Sequence, residues 1–594
     1  MIPYPAAVSP APTPFGFLLV LSIVVPIAGL VLAFPLGGRW VGRITFATIA
    51  CGLAIAVAIA IAMHQAGTAL AYPLGGWTPP LGVMLRADGL SAVMMVITAV
   101  VIGAVAVFAR ADFTTADPVE ARAPFAFWIL LLAVWAALNT VLLGGDLFTL
   151  YVGIELLTFA AVPLVCLEGR GETLQAALRY LLFALLGSVF YLVGTALLYG
   201  GYGTLDIVLL SQRVHMTPAT LVAGALMTVG LLAKTALFPL HLWLPPAHAG
   251  APAAGSAILS GLVIKGSFFI VVRLWFNVMP ALPGFAATQL LAGMGAAAIV
   301  FGSIVALRQE RLKLLIAYST VAQIGYLFLM FPLASDPASV QLQSGGALAG
   351  GLLQAISHAT AKAAMFMAAG LIYAALGHDR ITELDGAAQA VPLSVLAFAL
   401  GGAALIGMPP GGAYLAKELW LEAAQGTDQW WWAFVIQAGG IFTGSYLVLV
   451  LAHALAPAHK ALAVHLPVSR LGEVAALALA VCSLVLGLFP WSMYLPVPHS
   501  VLSNSTVLKS LSTALWPILG GGLLAALMGR WRPGLVRVPS VRVLQVAFAA
   551  TGRTAQVLAG ALERVDGALR EWPAAGLSLL ALAVAFGVAM LGSH

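Results

Sequence analysis

Residues 231–250 read LLAKTALFPLHLWLPPAHAG. The stretch opens as an apolar helix, yet Lys234 lies inside it, and Pro239, His241, Pro245, Pro246 and His248 follow at once. The surrounding chain explains how unusual this is. Of 594 residues, 62% are hydrophobic and only 8% charged, which no water-soluble domain sustains. Apolar stretches long enough to cross ~30 Å of hydrocarbon recur along the whole length. They are continuous rather than alternating, which excludes a transmembrane β-barrel. The expectation is an all-α polytopic membrane protein in which residues 231–250 interrupt a span.

About sixteen spans are expected, each long enough to cross the bilayer. Residues 1–122 hold spans 1–3, 123–277 hold spans 4–8, 286–454 hold spans 9–13, and 471–529 hold two more. Residues 540–570 carry Arg542, Arg553, Glu563, Arg564, Asp566 and Arg570 between apolar residues at helical spacing. They are expected to form an amphipathic helix on the cytoplasmic surface or along a partner, ahead of a last span at 574–592. Loops after odd-numbered spans carry Arg39, Arg43, Arg110, Arg122, Arg170, Arg308, Arg311, Arg380, Lys460, Arg470, Arg530, Arg532, Arg537 and Arg542. Loops after even-numbered spans carry little beyond Arg86, Arg213 and Lys509. This asymmetry predicts both termini outside, in a cell inner membrane. The N-terminal MIPYPAAVSPAPTPF has no basic n-region and reads as a short tail before the first span. Cys51, Cys166 and Cys482 stand alone, so no iron–sulfur or zinc site is expected. No nucleotide loop is evident either, and no cofactor, metal or nucleic acid is expected.

Four of the seven lysines, Lys234, Lys265, Lys362 and Lys417, fall within apolar spans. A cation at the bilayer centre costs ~2.5–3.5 kcal/mol even on lenient scales, so these side chains need a polar interior. Glu155 follows Asp146 by nine residues, ~13 Å into its span, and is the expected partner of Lys234. His358 and Lys362 are four apart and share a helix face. Lysines that can lose a proton, with histidines that titrate near neutrality, are the composition of a proton path. Tyr318 and Tyr326 read as packing or interface residues rather than relays, and His241 and His248 as either backbone caps or secondary members of the path. Pro239 breaks one span beside Lys234, and Pro409 and Pro410 break another in IGMPPGGAYLAKELW, 406–420, beside Lys417. Two broken spans in corresponding places of two halves predict inverted repeats with an ion-handling site at each break.

Several motifs, in order, resemble the proton-translocating antiporter-like membrane subunits of respiratory complex I, Mrp antiporters and membrane-bound hydrogenases. They are LRADGLSAVM (85–94), NTVLLGGDLFTLYVGIELLTF (139–159), KTALFPLHLWLPPAHAG (234–250), ERLKLLIAYSTVAQIGYL (310–327), SHATAKAAMFMAAG (357–370) and IGMPPGGAYLAKELW. The resemblance implies about fourteen core helices, with inverted five-helix repeats at spans 4–8 and 9–13 and with spans 7 and 12 broken. It implies a controlling pair in Glu155 and Lys234, a central relay in Lys265, continuation through His358 and Lys362, and an exit at Lys417. Pro246 stands where the family often has an acid, and Arg179 where it has a lysine. Partners would be the bilayer and other membrane subunits, and the transported ion protons, with Na+ as the alternative. Three settings share such a core: a redox-driven proton pump, a cation/proton antiporter, and an ion-driven non-redox machine such as inorganic carbon uptake.

Overall fold

The computed structural model describes residues 12–113, 122–281, 283–335, 342, 345–458, 465–498, 507–527, 542–569 and 572–591. Lys460, Arg530, Arg532, Arg537, Arg570 and most of the N-terminal tail lie outside the described residues. The elements run α1 (Phe17–Leu36), α2 (Gly38–Ala66), an antiparallel pair β1 (Leu70–Pro73) and β2 (Met84–Ala87), α3 (Gly89–Ala109), α4 (Arg122–Leu143), α5 (Leu147–Val165), α6 (Gly171–Tyr202) and α7 (Pro218–Thr235). They continue with α8 (Ala253–Val278), α9 (Gly284–Arg308), α10 (Leu312–Leu327), α11 (Gly346–Leu376), α12 (Pro392–Ile406), α13 (Gly412–Gly426) and α14 (Trp430–Ala454). Last come α15 (Arg470–Val485), α16 (Val507–Leu527), α17 (Arg542–Leu569) and α18 (Trp572–Leu591). Among the described residues thirteen helices are long and apolar enough to cross a membrane. A short β pair stands between the second and third spans of this otherwise helical chain.

Local chemistry sets many of the helix starts. Asp88 caps α3 by accepting from the Ser91 amide at 3.0 Å, and Asp146 caps α5 by accepting from the Thr149 amide at 2.7 Å. Thr217 caps α7, with Pro218 in the first turn where no amide is needed. Helices α8, α10 and α11 form the innermost layer, while α1 and α2 leave much of their apolar surface outward. Two of the four buried lysines, Lys265 and Lys362, lie in this inner layer.

Both breaks begin ahead of their prolines. Helix α7 ends at Thr235, and Ala236 takes a left-handed backbone with φ 59°. Pro239 therefore sits in a loop three residues past that cap, followed by a short helix, Leu244–Gly250. Helix α12 is capped by Gly407, φ 91°, and Pro409 and Pro410 occupy the loop before α13. The physical reason is that proline disfavours helical backbone in the residue before it, so termination propagates upstream.

Two further irregularities carry no proline. Helix α8 widens into π turns at Leu259–Val263 and Leu274–Val278, which bracket Lys265 and Arg273. Each widened turn shifts the backbone bonding by one residue and frees a carbonyl for another donor.

A buried axis of ionisable groups

Glu155 lies on α5, two turns past the Asp146 cap, with its side chain 14% exposed. Lys234, in the last turn of α7, donates from Nζ to Glu155 Oε1 at 2.7 Å and to Thr158 Oγ1 at 3.0 Å. Ser188 of α6 donates its hydroxyl to the same carboxylate oxygen. Close helix contact makes this possible: a Cβ on Gly230 would stand 2.3 Å from the Gly187 carbonyl, so only glycines let α6 and α7 meet there.

Lys265 follows the first π turn of α8, and its Nζ donates to the carbonyl of Ser260, a member of that turn. The same ammonium meets His358 Nδ1 of α11. Lys362, one turn beyond His358, donates to Ser319 Oγ of α10 at 2.5 Å and lies 5.9 Å from the Tyr446 ring centroid. The shared face of His358 and Lys362 thus serves two neighbours, α8 and α10. Beyond them Gln354 donates to Gln323 at 3.0 Å, and Gln323 donates to Thr443 at 3.0 Å and to Tyr446 at 3.3 Å. Lys417 of α13 is buried, its Nζ makes no hydrogen bond among the described residues, and it lies 5.8 Å from the Trp516 ring centroid.

Neither His248 nor Arg179 is hydrogen-bonded to this series among the described residues. His248 is buried, stacks on Phe366 at 4.6 Å and has no hydrogen-bond partner on either nitrogen among the described residues. Arg179 lines a cavity of about 700 Å³ together with Arg170, Glu172, Lys313 and Asp379, rather than joining Lys234. Lys313, which sequence position alone did not single out, donates to the Ala251 carbonyl. Helix α17 does not lie free on a surface. Its Glu563 meets Arg308 of α9 in two bonds of 3.1 Å, and its Asp566 meets His241 and Tyr318. Tyr318 is therefore an interface residue, joined to α17 by a hydrogen bond.

Sequence reasoning also missed the brace that holds α8. Arg273, inside the span, donates to Asp88 Oδ2 at 2.5 Å and Oδ1 at 2.6 Å, and to Ser91 Oγ at 2.9 Å. The bidentate fork is the strong form of this contact. Burial would raise the Asp88 carboxyl, but Arg273 and Ser91 prevail and hold it below its ordinary value. The visible signal was an arginine in an apolar run, far along the chain from the aspartate of LRADGLSAVM.

A many-helix bundle with acid, lysines and histidine buried at its centre is an integral membrane protein built to accommodate charge in its interior. The sequence profile of the family described as NADH:quinone oxidoreductase/Mrp antiporter, TM, matches residues 144–443, and the chain belongs to that family. It is 32% identical to NADH-quinone oxidoreductase subunit N of Desulforudis audaxviator, over 74% of this chain and 89% of that protein. It is 28% identical to a Na(+)/H(+) antiporter subunit of Alkalihalophilus pseudofirmus, over 66% of this chain and 77% of that one. Among solved structures it resembles a chain of the Mrp complex from Dietzia sp. DQ12-45-1b, with 25% identity and a TM-score of 0.70. That match covers 88% of this chain and 98% of the other.

Proposed function

We propose that the chain is the proton-translocating, antiporter-like subunit of a multi-subunit membrane complex. Protons move along Glu155, Lys234, Lys265, His358, Lys362 and Lys417, coupled to electron transfer in partner subunits. The observation that carries this reading is the buried Lys265–His358 contact, together with the Glu155–Lys234 and Lys362–Ser319 contacts. Such groups accept and release protons only if they exchange partners, and lysine and histidine do so when desolvated. The two broken segments suit inverted repeats over 123–277 and 286–454, with both termini outside the inner membrane. Kinship with subunits named for both quinone oxidoreductases and Na(+)/H(+) antiporters supports a second reading, an Mrp-type cation/proton antiporter.

The test is the complex purified in mild detergent and reconstituted into liposomes with a pH-sensitive dye inside. Lys265→Met is expected to assemble normally and to abolish proton movement. Wild-type movement in that variant refutes the relay. Mass spectrometry of the co-purified subunits separates the two readings: redox subunits indicate the pump, and small membrane subunits alone indicate the antiporter.

A further inference from the structure

Asp566 lies on an amphipathic helix, outside the span of the family match, yet its residue is only 5% exposed. Three residues earlier, on the same face, Glu563 meets Arg308 at the rim. Asp566 reaches deeper. Its Oδ2 accepts from the Tyr318 hydroxyl at 2.7 Å, and its Oδ1 lies 3.2 Å from His241 Nε2. His241 is fully buried in the loop that follows the Lys234 helix, with Phe238 and Phe301 against its ring at 5.4 and 5.0 Å. Its Nδ1 has no hydrogen-bond partner among the described residues. Tyr318 is the neighbour in sequence of Ser319, which holds Lys362. Asp566 thus ties helix α17 to the loop after the Lys234 helix and to the residue beside Ser319 in α10.

An ionised carboxylate can only accept hydrogen bonds, so beside Asp566 the Nε2 of His241 carries the hydrogen and Nδ1 keeps its lone pair. That is the orientation a carboxylate imposes on a histidine that must take up a proton. We propose that Asp566 is a positioning residue acting through His241, and that the pair is a proton-accepting station beside the Lys234 break, supplied by helix α17. A proton handed over by a hydronium ion or a neighbouring ammonium, which is left as neutral water or amine, adds to Nδ1 while Nε2–H stays donated to Asp566. The imidazolium is balanced by the carboxylate, and the proton leaves again from Nδ1 to the next water or lysine. The inference rests on the relay reading and adds to it a residue from outside the family match.

The plain alternative is that Asp566 only fastens α17 to the bundle. The reconstituted complex distinguishes the two, with Lys265→Met run in parallel. Asp566→Asn keeps the shape and can still accept from Tyr318, but loses the charge. It is expected to keep α17 seated, read as unchanged amide-exchange protection over 556–569, and to slow proton movement about tenfold or more. Asp566→Glu is expected to restore most of the rate, and Glu563→Gln, which breaks only the rim pair, to leave it unchanged. Wild-type rate in Asp566→Asn with loss in Lys265→Met overturns this inference alone. So does an equal loss in Glu563→Gln, or an unseated helix in Asp566→Asn, since either makes attachment the cause. Wild-type rate in Lys265→Met overturns the relay reading, and this inference with it.

Discussion

Removing one member of the Glu155–Lys234 pair strands the other in a place where water reaches it poorly, and the cost can be worked from the geometry. At 2.7 Å and an effective dielectric constant of about 20, the mutual attraction is about 6 kcal/mol. Desolvation of both ions offsets much of it, so the intact pair adds little net stability, but a broken pair costs about 3–5 kcal/mol. Lys234→Met leaves the carboxylate with the Ser188 hydroxyl and also removes the donor to Thr158. Glu155→Gln leaves an ammonium that still bonds Thr158, so its cost falls at the lower end. The double variant buries no charge and is expected to be within about 1–2 kcal/mol of the wild type. The coupling energy of the cycle is therefore at least about 4 kcal/mol. Reversible unfolding in mixed micelles of rising SDS fraction measures it, and proton movement is expected to be lost in all three variants. Additivity within about 0.5 kcal/mol would refute the pairing argument, because contacting charges cannot be independent.

Lys417→Met is expected to stop proton movement while leaving stability unchanged or raised, since an ammonium with no hydrogen bond among the described residues is costly where it lies; a thermal shift assay beside the transport assay checks both. Arg273→Ala strands Asp88 and is expected to lower the amount of assembled complex, at a cost of about 3–5 kcal/mol, with partial recovery in Arg273→Ala/Asp88→Ala. Because the Asp88 pKa is lowered on folding, its stabilisation is fully present above the ordinary value of 3.8 and is lost as pH falls through the depressed folded value. A stability profile below that ordinary value should therefore lose its steepest limb in Asp88→Asn. Gly230→Ala is expected to cost about 1–3 kcal/mol and to slow transport, because the new methyl meets the Gly187 carbonyl one turn from Lys234. Gly293→Ala, where nothing lies within 4 Å, serves as the control and should change stability by no more than about 0.5 kcal/mol.

Much of the fold was legible because the bilayer imposes a one-dimensional rule. A span must be apolar for its whole length, and α3, α4 and α14 are each one uninterrupted helix of 21 to 25 residues. The same rule makes each exception conspicuous, and Glu155, Lys234, Lys265, Lys362 and Lys417 could be picked out with no knowledge of their neighbours. The π turns of α8 were not legible. They depend on whether a displaced carbonyl finds a donor, and that of Ser260 finds Lys265 only because His358 and α11 hold the lysine there.

Sequence by itself thus determined that charge is buried in this protein, in which spans, and beside which interruptions, because insertion energetics act residue by residue along the chain. Beyond Glu155–Lys234, which the sequence already suggested, tertiary structure alone decided the pairings. His358 turns to Lys265, 93 residues away, and Lys362 to Ser319, 43 away, though the two share one helix face. Asp566 looked like one more polar residue on a surface helix until α17 brought it to His241, 325 residues earlier. A buried ionisable group takes whatever partner helix packing sets within hydrogen-bond reach, and at such separations no local pattern encodes which one that will be.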